Sequence, residues 1–141
     1  VHLPRCCIVV SLIDMNVAFF QTVVFDYFAT HGRSDLHFRT REFRSSPYAV
    51  LVGEVMSQQT QALRASSRLP KFLKAFPTAA ALADAPFGQV LQEWEGLGYP
   101  RRAQNLQKAC QVIRHWTVDD FSVDALLQLP GVGPYTAAAV M

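Results

Sequence analysis

The chain has 141 residues, a formal net charge of +2 at pH 7, and hydrophobic side chains at half of its positions. That composition excludes a disordered polymer and allows one domain with a real core, while the charge is too small to assign a nucleic-acid partner on its own. The three cysteines (Cys6, Cys7 and Cys110) make neither a disulfide framework nor a C-x-x-C metal pair, which points to a reducing cytoplasmic compartment.

Residues 6–13 are apolar but short of the ~20 residues a membrane span needs, and Asp14 and Asn16 interrupt them. Met15 is read as the natural start, with residues 1–14 as an upstream extension. Asn16 can cap a first helix with apolar residues at Val17, Phe20, Val24, Tyr27 and Phe28, stopping near Gly32. Residues 33–46, with Arg33, Arg39, Arg41 and Arg44, read as a loop. Together 15–45 form an N-terminal helix and an arginine-rich loop.

Ser46-Pro47 is a helix start, followed by Tyr48, Leu51, Val52, Val55 and Met56 on one face and Glu54 and Gln58 on another. A helical stretch over 62–76 contains Pro70, expected to kink or split it. Thr78 caps a short alanine-rich helix, Pro86 opens one running to Trp94, and Gly96-Leu97-Gly98-Tyr99-Pro100 makes a tight turn. A longer helix runs from Arg101 to about His115, burying Ala103, Leu106, Ala109, Cys110 and Ile113. Ser122 caps a helix through Gln128, and Leu129-Pro130-Gly131-Val132-Gly133 turns into a last helix of small residues. No strand-like alternation competes, so the class is all-α with short connections.

Three segments carry chemistry, each with two readings. Gly131 and Gly133 can take positive φ and let a ligand approach the backbone, so the hairpin is either a phosphate site or an ordinary helix corner. Glu54, with Gln58, Gln59, Thr60 and Gln61, is either a general acid beside amides that read base edges, or a solvated polar face. Tyr99, with Arg101 and Arg102, is either a base-stack wedge flanked by phosphate contacts, or a core tyrosine at a solvated helix start.

In combination these motifs resemble the helix-hairpin-helix DNA glycosylases and, within them, the A/G-specific adenine glycosylases of the MutY family. The motifs are Glu54-Val55-Met56 with Gln58-Gln59-Thr60-Gln61, Gly96-Leu97-Gly98-Tyr99 with Arg102-Ala103 and Asn105-Leu106, and Leu129-Pro130-Gly131-Val132-Gly133 with Tyr135-Thr136-Ala137. The resemblance runs from about Val17 to Met141. It implies a six-helix barrel over 46–141, incomplete after the hairpin, with an N-terminal helix lacking its usual partner subdomain and exposing apolar surface. It also implies excision of adenine mispaired with 8-oxoguanine or guanine in double-stranded DNA, after the base is flipped out. Glu54 matches the catalytic glutamate, and Gln59 and Tyr99 match residues that enter the duplex. Gln58, Arg102, Gly131, Val132, Gly133 and Tyr135 join them as DNA-binding positions. Tyr135 stands where lyase relatives carry a lysine nucleophile, which favours a glycosylase without lyase activity.

The family's second catalytic residue, an aspartate, would fall past Met141, as would the four cysteines of its [4Fe–4S] cluster, so this stretch alone is expected to be inactive or weakly active and to bind no metal. Leu36-His37-Phe38 stands where the family has Leu-Pro-Trp, and Gly53 where it has serine. The expected setting is the bacterial cytoplasm, at the nucleoid, with no membrane. An endonuclease III-like glycosylase/lyase and a non-catalytic helix-hairpin-helix DNA-binding remnant are the alternatives.

Overall fold

The computed structural model describes residues 17–32 and 40–141, with the backbone alone at Arg41 and Glu42. The readings placed on residues 1–16, on Arg33 and Arg39, and on Leu36-His37-Phe38 lie outside the described residues. Every described element is helical, and no helix among the described residues is long and apolar enough to cross a membrane. The chain divides into two compact units, residues 1–34 and 35–141.

The first unit holds α1, Val17–His31, none of whose residues is buried. The expected apolar stripe is present, but Phe19, Val23 and Phe25 fall off it and are exposed as well. Apolar surface therefore wraps most of the helix instead of following one face.

The second unit begins with α2, Arg41–Arg44, inside the segment read as loop. Its Phe43 is only 6 % exposed and joins the core, which is why this arginine-rich stretch is ordered as a helical turn. The helix α3, Pro47–Ser57, follows. Ser46 Oγ accepts from Ala49 N at 3.2 Å, and Pro47 occupies the first turn, where its missing N–H costs nothing. Seven residues of α3 are buried, including Leu51, Val52 and Met56, so it is a central helix apolar on nearly every side. It packs against α2, α4, α7 and α9.

The next helix, α4, spans Ala62–Ala75 with Pro70 inside it; Pro70 is exposed, and the helix is not split there, because the buried Leu69 and Phe72 anchor it on both sides. The short α5 (Ala79–Asp84) and α6 (Phe87–Glu93) lead to α7, Pro100–Ile113, which packs along α5 and α6. A turn of 3-10 helix at Val118–Asp120 precedes α8, Val123–Leu127, and the chain turns into α9, Pro134–Val140. Thr78 and Ser122 cap α5 and α8 as their positions predict, with hydroxyls accepting from Ala81 N and Ala125 N. Phe72, Trp94, Leu106, Cys110 and Leu126 fill the core between these helices.

Candidate nucleic-acid interface and active site

Glu54 lies on α3 one turn before its end, half-buried, and burial raises its pKa above the ordinary carboxylate value. It lines a cavity of about 450 Å³ with Phe43, Arg44, Val50, Tyr135, Ala139 and Val140. A second recess of about 360 Å³ shares Glu54 and Tyr135 and adds Ser57 and Gln58. The acid therefore sits in a cleft between α3 and α9, of the size that small-molecule sites occupy. Among the described residues no other acidic side chain and no lysine lines either cavity. Tyr135, on the first turn of α9, is 79 % exposed and forms one wall.

The segment is solvated only in part: Gln59 and Gln61 are exposed, whereas Glu54, Gln58 and Thr60 are half-buried. Gln58 is half-buried, and its Nε2 donates to Thr136 Oγ1 at 3.3 Å, tying the end of α3 to α9. Gln59 is exposed at φ 52°, and Tyr99 is 61 % exposed at φ 48°. They are the only non-glycine residues with positive φ among the described residues. Such strained backbone concentrates at functional sites. Tyr99 is thus not a core tyrosine.

Arg101 is exposed, whereas Arg102 turns inward instead of offering its charge to solvent. Its Nη1 donates to the carbonyls of Val55 (3.0 Å), Met56 (3.3 Å) and Gln58. Its Nη2 donates to Thr60 Oγ1 (3.1 Å), Leu97 O (2.8 Å) and Gly98 O (3.3 Å). The guanidinium carbon lies 5.5 Å from the ring centroids of both Trp94 and Tyr99. Burial lowers its pKa, partly opposed by Tyr99.

The hairpin between α8 and α9 corrects one expectation. Gly131 has φ +78°, but Gly133 is at φ −101°, ψ 177°, extended backbone open to any residue. A Cβ on Gly131 would come within 3.0 Å of Asn105 Cβ and 3.1 Å of its Nδ2, while one on Gly133 would meet nothing within 4 Å. Gly131 is exposed, and Val132 and Gly133 are partly so. The first-turn N–H groups of α9 have no intrahelical partner.

Phe43, Arg44 and Val50 as cavity walls, Thr136 as the partner of Gln58, and Asn105 beneath the hairpin were missed at the level of sequence. Phe43 alone carried a signal, an isolated apolar side chain in a basic stretch.

The residues present do not fit an iron–sulfur cluster. Four thiolates are needed and the chain has three cysteines. Burial pushes the Cys110 thiol up to about 12, so it stays protonated. No group of three or more His, Cys, Asp or Glu side chains among the described residues could hold a metal ion.

Residues 52–137 match the model of the HhH-GPD superfamily base excision DNA repair protein. The chain is 42% identical over 114 residues to an adenine DNA glycosylase of Mycobacterium tuberculosis, covering 79% of this chain and 38% of that protein. It is 32% identical over 128 residues to an adenine DNA glycosylase of Buchnera aphidicola, covering 89% of this chain and 35% of that one. The chain thus spans little more than a third of the length of these relatives. Among solved structures, it resembles an endonuclease III–DNA complex with a TM-score of 0.66 at 20% identity, covering 90% of this chain and 59% of that one. A thermostable thymine-DNA glycosylase gives a TM-score of 0.66 at 24% identity over 88% of this chain and 57% of that one. At these identities the two structures speak for the fold.

Proposed function

Since the chain belongs to the HhH-GPD superfamily of base excision DNA repair proteins, we propose that it forms the base-excising barrel of an adenine DNA glycosylase acting on adenine opposite 8-oxoguanine or guanine. The observation that carries this reading is Glu54, half-buried with a raised pKa, in a cleft walled by Tyr135, on a unit that also presents two exposed left-handed residues, Gln59 and Tyr99. A flipped adenine enters the cleft, and the protonated Glu54 carboxyl gives its proton to the ring as the bond from the base to C1′ of the sugar breaks. The electron pair of that bond leaves with the base. The Glu54 carboxylate then takes a proton from the water that adds to C1′, so one water is consumed and the acid is regenerated.

The hairpin Gly131-Val132-Gly133 holds a backbone phosphate, Gln58 orients the end of α3 against α9, and Gln59 and Tyr99 enter the base stack. Tyr135 stands where lyase relatives carry a lysine, and no lysine lines the cleft among the described residues, which favours excision that leaves the sugar–phosphate backbone intact. A [4Fe–4S] cluster finds too few thiolates in this chain, and no step of the excision runs through one. The work is placed on nucleoid DNA in the bacterial cytoplasm.

The test is excision from a duplex containing adenine opposite 8-oxoguanine, using the wild-type chain and Glu54→Gln under single-turnover conditions. Glu54→Gln is expected to bind the duplex as wild type does and to release no adenine. Undiminished adenine release by the variant refutes the assignment of Glu54. A borohydride-trapped covalent adduct favours the lyase alternative.

A further inference from the structure

We propose that Arg102 is a positioning residue that locks Gln59 and Tyr99 into a single two-part wedge, rather than a phosphate contact. The inference rests on the reading of the chain as a DNA glycosylase for the wedge's purpose. The lock itself stands on geometry alone.

Arg102 occupies the first turn of α7, where a positive charge works against the helix dipole. No carboxylate lies within ion-pair distance of it among the described residues. Neither helix stability nor an ion pair therefore accounts for a half-buried guanidinium at this position. Its partners do. Val55 and Met56 offer carbonyls from the last turn of α3, which lack intrahelical donors. Gln58 O and Thr60 Oγ1 lie on either side of Gln59 in sequence, and Leu97 O and Gly98 O immediately precede Tyr99. One planar fork thus holds the backbone around both strained residues.

Left-handed backbone at a residue with a Cβ is unfavourable and persists where the surroundings over-determine it. Here the surroundings are a single side chain and its two neighbours. The Trp94 indole donates to Gly98 O at 3.0 Å, and Thr60 Oγ1 lies 3.3 Å from Leu97 O, bridging the two loops directly. The Tyr99 ring faces the guanidinium, its centroid 5.5 Å away, and remains largely exposed. A lysine ammonium is a point charge without the fork and cannot reach both loops at once.

The test compares the wild-type chain with Arg102→Lys, Arg102→Gln and Thr60→Val. Without DNA, amide hydrogen exchange is expected to accelerate together, by about tenfold or more, at 58–60 and 97–99 in both Arg102 variants, and less in the core of α7. With a duplex carrying 2-aminopurine beside the mispair, the affinity read from base unstacking is expected to fall about tenfold in both, through lost preorganisation. The salt slope of binding stays unchanged. A phosphate contact predicts instead that Lys restores wild-type behaviour and that Gln lowers the slope by about 0.9. Either result overturns the proposal, as does acceleration confined to one loop. If the Arg102 variants do not fold, Thr60→Val, which removes only the hydroxyl, must loosen both loops to a smaller degree; a change in neither loop, or in one alone, overturns the lock. A wild-type chain that binds no duplex refutes the wedge together with the glycosylase reading, whereas paired loosening in that case still upholds the lock between the loops.

Discussion

Glu54 sits where a carboxyl group is easier to protonate than in water, and this has a thermodynamic cost at neutral pH. Its folded pKa lies above the unfolded value, so the folded state holds more protons and stability falls as pH rises through that interval. Glu54→Gln keeps the shape and removes the charge. It is expected to melt at a higher temperature than wild type at pH 7, with the difference vanishing below about pH 4, where both states carry a neutral carboxyl. Melting curves across that range check it; a lower melting temperature at pH 7 contradicts it. The two hairpin glycines separate in the same manner. Gly131→Ala forces a Cβ into left-handed backbone against Asn105, and is expected to cost about 1–2 kcal/mol. Gly133→Ala has open space and ordinary backbone, so it should leave stability unchanged and weaken duplex binding where a phosphate must approach the main chain.

At the level of elements, α3 carries the acid and depends on its start. Ser46→Ala removes the bond to Ala49 N and is expected to lower stability by about 1 kcal/mol, measured by denaturant unfolding. The apolar girdle of α1 predicts binding of a hydrophobic dye, reduced when Phe19, Phe25 and Phe28 are replaced by serine. Helix positions were legible because their signals are local: Ser46-Pro47, Thr78 and Ser122 announce starts through one side chain each. The short α2 was not, since only the burial of Phe43 holds it, and burial is a tertiary fact. Pro70 does not split α4, because the core contacts of Leu69 and Phe72 on either side outweigh one missing backbone bond. Glu54, Tyr99 and the hairpin were legible as motifs. The inward turn of Arg102 was not, as an arginine bound to carbonyls and one bound to phosphates look alike in sequence.

For the molecule as a whole, Glu54 is the one acidic side chain along the cleft among the described residues. Departure of the base leaves positive charge on the sugar, and a single missing electrostatic partner typically lowers a rate by about 10²–10³-fold. On the proposed reading, excision is therefore expected to be slower by at least that factor than by an adenine glycosylase with a second acidic side chain in its cleft, in parallel single-turnover reactions. Equal rates contradict the expectation.

One helix sets the spacing of the grip. Tyr99 caps the start of α7, and Asn105, six residues on, supports Gly131 of the hairpin from below. At 1.5 Å per residue, these points stand about 9 Å apart along a rigid rod. α7 is thus a ruler between the Tyr99 turn and the hairpin; on the proposed reading that length corresponds to between two and three nucleotide steps of about 3.4 Å. Adding one residue between Tyr99 and Asn105 would swing the support of the hairpin about 100° around the helix axis with every side chain still present.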